Sequence, residues 1–179
     1  MSKNILVISA SLRNGSNSDM LADEFMRGAL ESGNKAEKIT LRGKSINFCK
    51  GCLACQKTGK CVINDDMAEI LPKMQQADVI CFASPVYFYD MCGQLKTFLD
   101  RTNPLFPAEY NFTDIYFLIT AADTEQSASE GPLKGLQGWI DCFENAGLKG
   151  VVCGLGAEKP GDVKSMSAMN EAYMLGKQA

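Results

Sequence analysis

Four of the chain's eight cysteines, Cys49, Cys52, Cys55 and Cys61, fall within the segment 48–62 at the spacing C-x2-C-x2-C-x5-C. Thiols separated by two residues converge on one body only if the backbone wraps around it. A short loop encloses an iron–sulfur cluster in that way, with a fourth thiolate arriving from further along. Gly51 and Gly59 supply permissive backbone for the wrapping. Lys57 and Lys60 place positive charge beside thiolates or an anionic cluster. Spacing alone leaves two other fillings open. A redox-active dithiol at Cys49/Cys52 or Cys52/Cys55 needs no metal. Zinc would take the same thiols, although structural zinc ordinarily draws on two Cys/His pairs with a longer insert between them.

The chain has no histidine, which removes the commonest acid–base catalyst and the triads built on it. Chemistry here is expected to be carried by a cofactor. A second group of candidates, Ser11, Arg13, Ser16, Asn17 and Ser18, follows the apolar run Ile5–Ile8 and precedes a helical pattern of Met20, Leu21, Phe25, Met26, Ala29 and Leu30. A polar loop between a strand end and a helix start gathers free backbone N–H groups and the positive end of the helix dipole. Hydroxyls, an amide and a guanidinium there suit a phosphate, or else Ser16 or Ser18 is simply a helix cap. The usual nucleotide fingerprints, G-x-G-x-x-G and G-K-[ST], are absent. A third group is Pro85-Val86-Tyr87-Phe88-Tyr89-Asp90-Met91, with three consecutive aromatics after the apolar run 78–83. Aromatics at a strand's carboxyl end suit a flat conjugated ligand, and a core or dimer contact is the plainer alternative. Asp65 and Asp66 look like an acid pair, but before Met67, Ile70, Leu71 and Met74 they read better as a helix cap.

These groups need a frame. Apolar strands at 5–8, 78–83, 115–120 and 150–155, with a weaker one at 36–41, alternate with helices at 20–33, 67–74, 92–101, 131–146 and 162–176. That alternation predicts an α/β fold with a parallel sheet, whose ligands bind at the carboxyl ends of the strands. Trp139 is read as packing, and Met166, Met169 and Met174 as core or subunit contact. At 179 residues one domain, 1–179, is expected. A net charge of −3 argues against a nucleic-acid partner. No apolar run reaches the ~20 residues of a membrane span, and no signal peptide is read at the N-terminus. With isolated thiols at Cys81, Cys92, Cys142 and Cys153, a cytoplasmic location is expected.

Three blocks carry a resemblance: Ser11-x-Arg13-x-x-Ser16-Asn17-Ser18, the four-cysteine loop, and Ser84-Pro85-Val86-Tyr87 running into Gly93-Gln94-Leu95-Lys96 and Asp100-Arg101. With these, the chain resembles the flavodoxin-like NAD(P)H-dependent FMN reductase superfamily, most closely its iron–sulfur flavoprotein branch. The resemblance implies a three-layer α/β/α sandwich with a five-stranded parallel sheet of order 2-1-3-4-5. It implies that Ser11, Arg13, Ser16, Asn17 and Ser18 hold the FMN phosphate. Pro85 to Met91 would line the flavin ring, with Ala121, Ala122 and Asp123 at its other edge. Cys49, Cys52, Cys55 and Cys61 would hold a [4Fe–4S] cluster nearby. Two departures matter: Ala10 and Leu12 stand where relatives commonly have Gly and Pro, and Asp90 puts a carboxylate beside the ring, disfavouring anionic reduced flavin. The implied activity is hydride transfer from NAD(P)H to FMN and onward transfer to a small-molecule or redox-protein acceptor, in a homodimer or homotetramer. An electron carrier without a nicotinamide site and a zinc-stapled binding module are the rival readings.

Overall fold

The computed structural model describes residues 2–179. β1 (Asn4–Ser9), β2 (Lys35–Thr40), β3 (Val79–Tyr87), β5 (Asp114–Ala121) and β6 (Gly147–Leu155) form a parallel sheet in the order β2-β1-β3-β5-β6. Numbered among themselves, these five strands have the expected order 2-1-3-4-5. A sixth strand, β4 (Asp90–Met91), was not expected; it pairs antiparallel with the end of β3, so the aromatic stretch is a hairpin rather than an open loop. The chain runs from β1 outward to β2, then crosses back to β3 on the other side of β1. The switch point therefore lies between the carboxyl ends of β1 and β3.

The central strands read as apolar runs because both their faces are covered. Leu6 and Ile8 of β1, Ile80 and Phe82 of β3 and Ile115, Phe117 and Ile119 of β5 enter one core. Ile5, Val7, Val79, Cys81, Tyr116 and Leu118 alternate into the other. The first core is closed by α3 (Met67–Gln76), α4 (Gly93–Asp100) and α5 (Glu130–Ile140). The second is closed by α1 (Asn17–Glu31) and α6 (Ser167–Gln178). A five-residue helix, α2 (Ala54–Thr58), belongs to the cysteine segment. Trp139 packs edge-on to Phe82, as expected of a core residue. Met166 and Met169 pack against the second core, whereas Met174 faces solvent. Among the described residues no helix is long and apolar enough to cross a membrane.

α1 and α6 approach so closely that side chains are excluded from their seam. A Cβ on Gly176 would lie 2.0 Å from the Phe25 carbonyl oxygen, and one on Gly28 2.1 Å from that of Tyr173. Gly176→Ala is therefore expected to destabilise the fold by about 1–3 kcal/mol, the range for overpacking. Gly138→Ala on the exposed face of α5, where a Cβ meets nothing, should instead stabilise by about 0.4–1 kcal/mol. Urea unfolding of the two variants reads both signs.

Candidate functional site

The first loop leaves β1 beside β3, the Ala10 N–H donating to the Ala83 carbonyl at 2.9 Å. Ser11 is buried, and its Oγ accepts the Arg13 N–H at 3.3 Å. Ser16 is the extended residue ahead of α1, yet its side chain makes no cap hydrogen bond. Its Oγ instead meets Ser18 Oγ at 3.0 Å. The N–H groups of the first turn, orphaned in any α-helix, thus open between two buried hydroxyls without an internal carboxylate or hydroxyl to satisfy them.

Asn17 has a different task from its neighbours. Its amide nitrogen donates to the carbonyls of Ala157 (3.2 Å) and Lys159 (2.9 Å). Its Oδ1 accepts the N–H groups of Gly161 (2.9 Å) and Val163 (3.3 Å). All four positions of the carboxamide are filled, which leaves the side chain no hydrogen-bonding capacity for a ligand. Arg13 also reaches this segment, donating to the Glu158 carbonyl at 3.1 Å. The loop after β6 was not singled out in the sequence. Its only signal there is its position, at the same sheet edge as the other three.

The third loop forms a tight hairpin in which Val86 faces Met91 and Tyr87 faces Asp90. Its two central residues, Phe88 (φ 51°) and Tyr89 (φ 60°), both have left-handed backbone. Two-residue hairpins need that conformation but ordinarily fill it with Asn and Gly; for bulky side chains it is strained, by roughly 1–2 kcal/mol per residue. Ser84 and Cys92 anchor the base: Ser84 Oγ accepts the Cys92 N–H at 3.1 Å, and Cys92 Sγ faces the Ala10 carbonyl at 3.8 Å. At the tip, the Tyr89 hydroxyl donates to Asp123 Oδ2 at 2.9 Å. The N–H of Glu125, then the Tyr89 hydroxyl, hold the Asp123 carboxyl below its ordinary range; the same bond raises the Tyr89 phenol. Ala121 is buried, with its carbonyl accepting the Ala157 N–H, and Ala122 is exposed. Tyr87, Phe88, Tyr89 and Asp90 form the rim with partly buried Pro85 and Val86, whereas Met91 turns into the core under α5.

The cysteine segment leaves β2 and returns at α3. Its path turns at Gly51 (φ 63°), Leu53 (φ 55°) and Gly59 (φ 70°), bracketing α2. All four cysteines are free thiols: Cys49 and Cys52 exposed, Cys61 half-buried, Cys55 buried. Burial, then the charges of Cys61, Cys49 and Cys52, push the Cys55 thiol up. Among the described residues, no three His, Cys, Asp or Glu side chains converge on the position of a single metal ion. A four-iron cluster takes one thiolate per iron and so spreads its ligands around a larger body. Four thiols in one segment match that group in donor type and number.

Both ends of the segment are tied to Arg101, the largest fully buried side chain. Its Nη1 donates to Asp65 Oδ2 (2.6 Å) and to the Asn47 carbonyl (2.7 Å). Its Nη2 donates to Asp65 Oδ1 (2.9 Å). Asp65 also accepts the N–H groups of Asn47 (2.9 Å) and Met67 (3.2 Å). The capping role expected of Asp65 is present but secondary to this ion pair. Asp66 makes no side-chain cap; it accepts the Ser45 N–H at 2.5 Å. Between the two halves of the site lies a cavity of about 480 Å³, lined by Leu12, Ile46, Phe48, Tyr87 and Gln94.

Residues 3–130 match the family model described as NADPH-dependent FMN reductase. An iron–sulfur flavoprotein of Methanocaldococcus jannaschii is 44% identical over 101 residues, 56% of this chain and 52% of the relative. The matches cover about half the length of the first such relatives. A provisionally named NAD(P)H-dependent FMN-containing oxidoreductase of Bacillus subtilis is 29% identical over 98% of this chain and 97% of its own. In fold, an NAD(P)H:quinone oxidoreductase from Methanothermobacter marburgensis superposes with a TM-score of 0.78 at 18% identity, covering 99% of this chain and 96% of that one.

Two outcomes test this geometry. Burial would raise the Asp65 carboxyl, but the Arg101 and Asn47 hydrogen bonds bring it down to about 2, against about 3.9 in an unfolded chain. Its contribution is full above pH 4 and lost as the pH falls through about 2. Asp65→Asn should remove that acid dependence and cost about 3–5 kcal/mol by leaving a buried guanidinium unpaired, read by urea unfolding between pH 7 and pH 2.5. Phe88 is fully exposed, so Phe88→Asn should relieve backbone strain and raise stability by about 1 kcal/mol.

Proposed function

Since the chain belongs to the NADPH-dependent FMN reductase family, we propose that it is an FMN-dependent NAD(P)H oxidoreductase with a second redox centre in its cysteine segment. One observation carries the reading: the start of α1 has no side-chain cap and opens, between Ser16 and Ser18, on the sheet edge that bears the aromatic hairpin. A dianionic phosphate matches such a helix start, where the dipole and orphaned N–H groups favour negative charge. Ser11, Ser16 and Ser18 hold it by their hydroxyls, Asn17 by its backbone and Arg13 by its charge. Tyr87 to Asp90 and Ala121 to Asp123 flank the ring on two sides. Bound there, FMN supplies hydride acceptance and release of electrons singly or in pairs.

The protein's own part is to hold and exclude. The Tyr89–Asp123 bond fixes the hairpin tip against the loop after β5, and Ser84 with Cys92 fixes its base. The cavity beside Tyr87 and Leu12 accepts a second flat group next to the first, as a nicotinamide or an aromatic acceptor requires. Asp90 Oδ1 accepts the Met91 N–H at 2.6 Å, which engages the carboxylate within its own hairpin. In this reading Cys49, Cys52, Cys55 and Cys61 are ligands of a [4Fe–4S] cluster, supported by the donor set and by the iron–sulfur flavoproteins among the relatives. The cluster supplies single-electron exchange. The acceptor is a small molecule or a redox protein, and the working form a homo-oligomer.

Ser16→Ala and Ser18→Ala should each weaken FMN binding about tenfold, the loss of one hydrogen bond to a charged group. Riboflavin, lacking the phosphate, should bind both variants and the parent alike. Fluorescence titration compares them. The FMN-loaded protein should oxidise NADH or NADPH; failure with both, with and without oxygen, would remove the enzyme reading.

A further inference from the structure

Arg101 follows α4 and has five N–H donors in a fixed fork. Four have acceptors: Asn47 O and both Asp65 oxygens at 2.6–2.9 Å, and Ile63 O at the longer distance of 3.5 Å. The fifth, on Nε, is buried and has no acceptor. An orphaned donor is out of keeping with a guanidinium otherwise enclosed by its partners, because a buried N–H left unpaired loses its hydration without return. Asn47 and Ile63 flank the cysteine segment on either side, so the fork faces the segment's base. Cys61 lies two residues before Ile63, whose carbonyl Arg101 reaches, and is the thiol nearest to that base along the chain. Cys61 is half-buried and, with Ile63, lines a cavity of about 510 Å³ bounded by Leu71, Pro72 and Leu105.

We propose that Arg101 is a positioning residue for Cys61, its Nε–H donating to Cys61 Sγ when the cysteine segment encloses its cluster. The inference rests on the iron–sulfur reading above. Among the described residues, the one hydrogen bond to a sulfur of this segment comes from the neutral Gly51 N–H to Cys49, at 3.5 Å. Cys61 is thereby set apart from the other three ligands. A cationic donor withdraws charge from a ligand sulfur and stabilises the reduced, more negative form, so it raises the reduction potential.

The protein is purified without oxygen and assayed for iron and acid-labile sulfide. Absence of both removes the iron–sulfur reading itself, before any variant is compared. With the cluster present, pulsed electron paramagnetic resonance of the reduced protein grown with ¹⁵N-arginine should show a ¹⁵N coupling. Arg101→Lys should lose that coupling and shift the cluster's midpoint potential to more negative values at undiminished iron content. No ¹⁵N coupling in the parent, or an unchanged potential in an iron-replete Arg101→Lys, overturns the proposal. Should Arg101→Lys fail to fold, the isotope measurement on the parent decides alone.

Discussion

The cysteine segment depends on one buried ion pair. Between the end of β2 and the start of α3 the chain travels through residues 41–66 with a single five-residue helix. Few of its side chains reach the core: Leu41 belongs to it, Ile46 packs against it, Cys55 is buried, and most of the rest face solvent. Loop closure of that length is entropically unfavourable, and the segment has little apolar area to offset it. Arg101 and Asp65 supply the closure, with contacts to Asn47 before the cysteines and Ile63 after them. Burying two charges is costly, and it is sustained here because the carboxylate also accepts backbone N–H groups and the guanidinium also meets carbonyls.

The opposite half of the site is held by polar cross-ties rather than by one pair. Asn17 links the first loop to the segment 157–163, Ser84 and Cys92 link the hairpin base to Ala10, and Tyr89 links the hairpin tip to Asp123. Each tie joins loops leaving different strands, so four excursions behave as one rim. The rim's strained backbone lies where these ties are: Phe88 and Tyr89 keep left-handed conformations that neither would choose alone. The close pass of α5, where a Cβ on Gly131 would lie 2.0 Å from the Tyr89 carbonyl oxygen, leaves the turn no room to relax in that direction.

The frame was legible in the sequence because β1, β3 and β5 are covered on both faces and appear as unbroken apolar runs. β2 was faint for the opposite reason: it is an edge strand with only Ile39 buried. β4 was invisible, being two residues long and joined by Phe88-Tyr89 where a hairpin signal would be Asn-Gly. The strand order was implied by family resemblance rather than by any periodicity. Among site residues, the four thiols and three serines stood out by type and spacing. Arg101 figured only in a block that carried the resemblance and was given no role, because a basic residue at the end of a helical pattern reads as a solvated terminus. Asp65 did not, because a carboxylate ahead of a helix reads as a cap. Pairing over 36 positions is tertiary information that local pattern cannot hold. Asn17 was noticed for its amide, but its partners lie 140 to 146 residues away.

α4 joins the two halves of the molecule's chemistry. The residue before it, Cys92, rests against Ala10 at the first loop, and the residue after it, Arg101, clasps the base of the cysteine segment. Eight residues of α-helix rise about 12 Å. Helices stretch far less readily than loops, so the span between the two anchor points acts as a ruler built into the chain. The first loop and the base of the cysteine segment are therefore kept apart by a helical rise rather than by loops.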